Sequence, residues 1–572
     1  MNPRDKYILW LNSPVVDEET KRELREIEGD PASIEERFWT DLEFGTAGLR
    51  GILGAGTNRM NKYMVRWATQ GLANIICRAE KNRRVVIAYD TRYCSTEFAW
   101  EAAAVLVGNG AEVWVFPEPV PTPMLSYAVR HLEASAGIMI TASHNPPEYN
   151  GYKVYGPDGC QLVSSLAQAV TEELEKVDVF HDVRLADQEA VKAQVNTDLS
   201  QVIADYLDDT LSLCFNTELI RDMSHDFSVV YSPLHGTGRK LVPTALERLG
   251  VKQLHLVEEQ MKPDPAFPTV ESSNPEDPKA FKLGLELARK HGATLVVATD
   301  PDCDRVGVYV RHQDDYVFLT GNQIGVLLTD YILGQHKAQG TLPSNGVVIK
   351  TVVTTELTRA VAKEYGVTLV DTLTGFKYIG ELMTQYEQTK EHTFLFGFEE
   401  SHGYLAGNFV RDKDGVVAST LIVEMAGYYL AQGISLVERL RQIMDKHGYY
   451  TESLHSLTMP GVAGQQNIKK IMEYLRNDCT DEILGMSVVR HADFLTSVLR
   501  TPEGTATISL PKSDVLQFHL ANETSITVRP SGTEPKIKLY FASKGATLAE
   551  SQAKLKGIEE DMVKLISSIT EC

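Results

Sequence analysis

Short apolar runs alternate with amphipathic stretches over most of the chain, the pattern of α/β layering. In the first part, Arg84–Tyr89 (RVVIAY), Ala111–Phe116 (AEVWVF) and Gly137–Thr141 (GIMIT) are predicted as buried strands, with a helix over Thr96–Val107 between the first two. A second unit begins near Phe227 with FSVVYSP. It continues through a helix ending at Gly250, the run QLHLV, a helix over Pro278–His291 and the strand TLVVAT. A third opens with a helix at Asn322, then GVVIKTVV, a helix closing at Gly366, TLVDT, TFLFGF and a long apolar helix after Gly415.

From about Tyr450 the pattern changes. SLHSLTM, ATISLP, VLQFHL, SITV and IKLYFA crowd together without regular crossover helices, which predicts an α+β domain with an antiparallel sheet. The last helix is announced by a capping box, Thr547 with Glu550, and Leu555, Ile558, Met562, Leu565, Ile566 and Ile569 mark its core face. The expected architecture is α/β: three similar α/β domains with mixed sheets plus a C-terminal α+β domain, around one central cleft. The boundaries are 1–210, 211–321, 322–449 and 450–572.

Length agrees with that division, since 572 residues at about 150 per domain make roughly four. The composition, 43% hydrophobic and 23% charged, is that of a globular protein. Fifty-six Lys and Arg against 77 Asp and Glu leave a net charge of −21, which argues against duplex nucleic acid or an anionic membrane as partner. Seven cysteines, none in a CxxC pair, argue against a disulfide framework or zinc finger and for a reducing compartment. No apolar run approaches the ~18 residues of a membrane span, and the first residues lack a signal-peptide core. The expectation is a cytoplasmic protein.

Four segments carry candidate chemistry. Thr141-Ala-Ser-His-Asn-Pro146 directly follows a buried strand, holding Ser143 at the carboxyl edge of a sheet, where open α/β folds place their active sites. His144 adjoins it and Lys153 follows ten residues on; an S-x-N-P turn is the plain alternative. Asp300-Pro-Asp-Cys-Asp-Arg305 follows the strand TLVVAT. Its three carboxylates can converge on one hard cation such as Mg²⁺, and Arg305 stands where an EF-hand needs glycine. In Arg529-Pro-Ser-Gly-Thr-Glu-Pro-Lys-Ile-Lys538, Arg529, Ser531, Gly532 and Thr533 can cradle a phosphate dianion, where a hairpin loop is the commoner fate. Gly397-Phe-Glu-Glu-Ser-His-Gly403 offers Glu399 and Ser401 to sugar hydroxyls, and Lys413 sits in a charged run that is by default solvated.

Together, in this order, the four segments resemble the α-D-phosphohexomutase superfamily, in its phosphoglucomutase branch. FGTAGLRG (44–51) and NRMN (58–61) are similar to the opening of the phosphoglucomutase-2-like subgroup. The resemblance implies that Ser143 is a phosphoserine, and that Asp300, Asp302 and Asp304 hold Mg²⁺ with the serine phosphate completing the sphere. It implies sugar recognition by Glu399 and Ser401, and phosphate binding by Arg529, Ser531, Gly532 and Thr533. Arg50 would approach the phosphoserine, Arg305 would brace the metal loop, and Thr374 and Gly375 would lie near the sugar. His144, Lys153 and Lys413 are the candidate proton carriers.

The implied reaction interconverts α-D-glucose 1-phosphate and glucose 6-phosphate, with glucose 1,6-bisphosphate as intermediate and activator, in a monomer or weak homodimer. Mannose or pentose phosphates are alternatives, as is a non-catalytic sugar-phosphate binder on the same fold, and His402 departs from other branches next to Ser401. A further rival is a Mg²⁺ phosphotransferase with Asp300 as the nucleophile.

Overall fold

In a computed structural model of the chain, the described residues are 1–45, 48–78, 82–162, 164–223, 227–531 and 536–571. They form two compact units, Met1–Val347 with Phe376–Val437, and Val348–Gly375 with Glu438–Cys572. The fold is the expected one: three α/β/α domains with mixed sheets, then a domain built on an antiparallel sheet.

In the first unit, a six-stranded sheet runs in the order Leu49–Ile52, Tyr149–Tyr155, Ala136–Ile140, Arg84–Tyr89, Glu112–Val115, Val195–Asn196. Its middle strands are parallel, joined through crossover helices such as Ser95–Gly108, while Tyr149–Tyr155 turns back antiparallel beside Ala136–Ile140. That antiparallel return matters for the site because its register sets Lys153 opposite Met139. A five-stranded sheet repeats the plan, with Leu295–Thr299 parallel to Ser228–Ser232 and antiparallel to Val306–His312. Strands Thr393–Glu399 and Gly403–Ala406 pair as a hairpin in the third domain. The central strands are buried along their whole length, which is why they read as unbroken apolar runs.

Two features differ from expectation. The helix expected over Pro278–His291 begins as a 3₁₀ turn, Pro278–Phe281, and becomes α-helical only at Lys282–His291. Asp277 accepts from the Lys279 N–H, closing a tight first turn that puts Phe281 into the core. Three helices, Pro3–Asn12, Glu18–Glu26 and Pro31–Phe38, stand before the first sheet, capped by Asn2, Asp17 and Asp30. They bury Tyr7, Trp10, Leu24, Ile34 and Phe38 in the first domain's core.

In the second unit the antiparallel strands run Tyr449–Thr458, Lys536–Gly545, Thr524–Pro530, Leu516–Leu520, Met486–Asp493, Val498–Thr501, Gly504–Thr507. The sheet is not free of crossovers, because helix Gly461–Asp478 interrupts it and packs Ile471, Met472 and Leu475 into the core. The closing helix Leu548–Glu571 buries Ile558, Met562 and Ile566 there as its spacing predicts. No single described helix is long and apolar enough to cross a membrane, and the apolar Gly415–Ala431 is almost wholly buried.

Candidate active site

The strand Ala136–Ile140 ends in a loop on which Ser143 sits at 4% exposure. The serine, aspartate and Glu399 loops each turn on a non-glycine residue in the left-handed region: Ser143 (φ +54°), Cys303 (+52°) and His402 (+61°). Such backbone is unfavourable for an L-residue and persists only where its surroundings hold it, as functional sites often do.

The turn at Ser143 aims its hydroxyl at the aspartate loop. Oγ donates to Asp300 Oδ2 at 2.9 Å and lies 3.1 Å from His144 Nδ1. Asp300 Oδ1 accepts the backbone N–H groups of Asp304 and Arg305, each at 3.0 Å, so the loop winds around this carboxylate. One ligand atom from each of Asp300, Asp302 and Asp304 falls within a 4.8 Å cluster. Asp302 Oδ1 and Asp304 Oδ1 are buried without a hydrogen-bond partner among the described residues, Arg305 Nε lying 3.8 Å from the latter. Unpartnered buried carboxylate oxygens are costly unless a cation neutralises them, and all-oxygen donors suit a hard divalent ion.

Two lysines flank the cluster. Lys153 Nζ donates to Asp302 Oδ2 at 3.1 Å, and Lys413 Nζ lies 3.2 Å from Asp304 Oδ2. Burial raises the Asp300 pKa, helped by the charges of Asp302 and Asp304. At Asp302 burial acts the same way, but Lys153, the hydrogen bond with Asp300 and Lys413 prevail and keep it ionised. Lys413 is desolvated too, yet Asp304, Asp412 and Glu399 hold it protonated. Burial, followed by the charges of Arg305 and Arg50, holds the His144 pKa well below its ordinary value, so the imidazole beside Ser143 is neutral.

The sugar-loop candidates adjoin this cluster. Glu399 ends the strand Thr393–Glu399 and is 5% exposed, and Ser401 stands half-buried in the turn that follows. His402 closes the turn with a reciprocal pair: its carbonyl accepts from Val306 N at 3.0 Å and its Nδ1 lies 3.1 Å from Val306 O. The residue after Arg305 is therefore fastened to the Glu399–Ser401 turn. Gly403 is required for a spatial reason, since a Cβ there would stand 2.0 Å from Cδ of Lys413. Arg305 pairs with Glu276, and Arg50 reaches Asn145 Oδ1 at 3.2 Å.

The remaining candidates lie in the second unit. Arg529 and Ser531 are half-buried at the end of strand Thr524–Pro530, where Ser531 N donates to Lys536 O at 2.8 Å. Gly532 and Thr533 lie outside the described residues. Thr374 Oγ1 is buried without a partner among the described residues, and Gly375 has φ +123°.

Three residues at the first unit's site escaped the sequence reading. Thr122 donates its N–H to Asp302 O (2.9 Å) and its hydroxyl to Asp302 Oδ2 (3.2 Å). Glu276 is the partner of Arg305, and Arg92 lies fully buried beneath the serine loop. Arg92 follows the strand Arg84–Tyr89 at the same sheet edge as Ser143, a signal that topology supplies; nothing in sequence pointed to Thr122 or Glu276.

A buried serine facing a carboxylate cluster, on serial α/β/α domains, defines a phosphoryl-transferring mutase architecture. Three family descriptions match in series: Phosphoglucomutase/phosphomannomutase, alpha/beta/alpha domain I over residues 41–180, domain II over 204–313 and domain III over 320–447. The chain belongs to the α-D-phosphohexomutase family, whose members are isomerases acting as intramolecular phosphotransferases.

A protein named phosphoglucomutase from Staphylococcus haemolyticus (strain JCSC1435) is 38% identical over 513 residues, 89% of this chain and 91% of that one. Another from Staphylococcus aureus (strain MSSA476) is 38% identical over 518 residues, 90% and 92% of the two. Among solved structures, the open form of pp63/parafusin from Paramecium superposes with TM-score 0.67 at 18% identity, covering 93% of this chain and 96% of that chain. A phosphoglucomutase/phosphomannomutase family protein from Burkholderia thailandensis gives TM-score 0.64 at 17% identity, covering 92% and 97%. At those identities the structural likeness speaks for the fold.

Proposed function

We propose that the enzyme is a phosphoglucomutase of the phosphoglucomutase-2-like subgroup, interconverting α-D-glucose 1-phosphate and glucose 6-phosphate through a phosphorylated Ser143 and glucose 1,6-bisphosphate. The observation that carries this reading is the 2.9 Å contact between Ser143 Oγ and Asp300, at a carboxylate cluster with two oxygens that accept no hydrogen bond among the described residues. Both oxygens of Asp300 are engaged, by Ser143 and by the N–H groups of Asp304 and Arg305, which favours serine over aspartate as the phosphoryl carrier.

Asp300, Asp302 and Asp304 fit Mg²⁺ by donor type and grouping, and bound there the ion supplies positive charge to phosphoryl oxygens. The protein's own residues do the rest. Neutral His144, 3.1 Å from Ser143 Oγ, is placed to hold or return a proton at that oxygen. Lys153 is the second candidate base for the attacking sugar hydroxyl, while Lys413, kept protonated, serves as a donor and fixed positive charge. Arg50 approaches the serine loop, and Arg305 braces the metal loop through Glu276.

Glu399 and Ser401 read the sugar hydroxyls, with Thr374 and Gly375 as further sugar contacts. Arg529 and Ser531, with Gly532 and Thr533, take the phosphate that is not being transferred. Glucose is the preferred sugar on the names of the 38%-identical relatives. A net charge of −21 and cysteines without a CxxC pair support work in a reducing cytoplasm on small anionic metabolites.

A coupled assay with glucose, mannose and ribose 1-phosphates tests the reading. Turnover of glucose 1-phosphate that needs Mg²⁺ and is stimulated by glucose 1,6-bisphosphate is expected. Faster turnover of another sugar, or independence from both additions, would sink it.

A further inference from the structure

We infer that Arg92 positions the Ser143 loop for phosphoryl transfer, and that the planar fork of its guanidinium, rather than its charge alone, does so. The inference rests on the phosphoserine reading above. Arg92 follows the strand Arg84–Tyr89, whose end lies parallel to that of Ala136–Ile140, with Tyr89 opposite Ile140 and Asp90 N donating to Ile140 O. Its side chain has no exposure to solvent, so it cannot contact a sugar phosphate.

All five guanidinium N–H groups are spent on carbonyl oxygens of the serine loop. Nε and Nη2 donate to Ser143 O at 3.2 and 2.6 Å, and Nη2 also donates to Asn145 O. Nη1 donates to Pro146 O at 2.8 Å and Tyr149 O at 3.1 Å. Four carbonyls thus converge on one centre, an arrangement that a rigid five-donor fork satisfies. A lysine ammonium, with three donors, could not span them. The balancing charge is Asp90, 3.5 Å from Nε and equally buried, which also takes the Arg92 N–H at 2.9 Å and the Ser95 hydroxyl at 2.6 Å. The Phe267 ring closes the other side, 5.1 Å from the guanidinium carbon.

The fork explains how Ser143 stays in left-handed backbone. Its own carbonyl receives two of the five bonds, while its N–H donates to Thr141 Oγ1 at 2.8 Å. Both ends of the Ser143 residue are pinned and the hydroxyl is left aimed at Asp300. An error of about 1 Å in the placement of a reacting atom costs on the order of 10²-fold in rate. Because Arg92 cannot touch substrate, its loss should appear in kcat and spare KM.

The test compares R92K and T141V with the parent enzyme at a temperature where circular dichroism shows each one folded. Thr141→Val removes the hydroxyl that accepts from Ser143 N and that also bonds Asp90, while the four carbonyl acceptors of the fork are untouched. R92K is expected to lose about 10²-fold in kcat with KM for glucose 1-phosphate within about threefold. Phosphoryl uptake from glucose 1,6-bisphosphate, followed by intact mass, should slow by a similar factor. T141V should lose about tenfold or less, since the fork still holds the loop.

R92K with kcat within about threefold of the parent, whatever its melting temperature, would overturn the inference. So would a T141V loss beyond tenfold, and that variant alone decides if R92K does not fold. A parent enzyme without mutase turnover fails the functional reading instead, a result visible before any variant is made.

Discussion

The serine loop and the Arg529 segment are both read as phosphate-handling elements, yet their described residues differ in burial. Ser143 is 4% exposed, its backbone is strained and pinned from two sides, and the carboxylates it faces are at most 2% exposed. Arg529 and Ser531 are half-buried at the end of a strand, where Arg529 pairs with Lys538 across the ladder and the Ser531 N–H donates to Lys536 O. A reacting atom must be fixed before the reaction begins, whereas a group that grips and releases a phosphate can keep its mobility. The comparison teaches that the backbone is held most closely around Ser143, the residue whose hydroxyl the proposed transfer requires to be aimed.

The sharpest way to break that division is Ser143→Ala. Turnover should fall about 10⁴-fold or more, and mass spectrometry after incubation with glucose 1,6-bisphosphate should find no added phosphoryl group. Full turnover would remove Ser143 from the chemistry altogether. Next in size is Arg529→Ala, where loss of a charge-assisted grip worth about 1.5–3 kcal/mol should raise KM by about 10–100-fold. Its kcat should change far less, and an equal fall in both would show that the outer loop also orders the reaction.

The smallest expected effect concerns stability of the second unit. Burial, with Arg490 beside it, pushes the His519 pKa down to about 4, and Arg490 Nη1 lies 2.9 Å from its Nε2. Above pH ~6.5 the histidine is neutral in both the folded and the unfolded chain, so it adds no pH dependence. Between pH ~6.5 and 4 the unfolded chain takes up a proton that the folded one refuses, and stability falls. His519→Gln should flatten that acid-side loss by about 1–2 kcal/mol, read from melting curves at pH 7 and pH 5. An unchanged slope would show that His519 is not the group responsible.

The meeting of the serine and aspartate loops was legible because each packs its polar residues into a few consecutive positions at the end of an apolar strand. Ser143 follows GIMI and Asp300 follows TLVVAT, so chain order and sheet edge agree. What escaped was assembled across the sheet. Arg92 meets the serine loop from a neighbouring strand, and Thr122 reaches Asp302 over 180 residues of sequence, so no window along the chain holds both partners. Helix Gly461–Asp478 was missed because its strand-rich surroundings and two early glycines, Gly461 and Gly464, disguise the later Ile471, Met472 and Leu475 face. The 3₁₀ opening at Pro278 depends on one side chain closing a turn, a choice that apolar spacing does not encode.

The missing side chain at Gly403 bears on how such an enzyme can be redesigned. The hydrocarbon stem of Lys413 occupies the volume that any β-carbon there would claim. Position 403 is therefore closed to pocket-reshaping mutagenesis, since even alanine would displace the ammonium group from Asp304 before any new hydroxyl were recognised. A library meant to change the accepted sugar should vary Ser401, half-buried in the turn after Glu399, and leave Gly403 as it is.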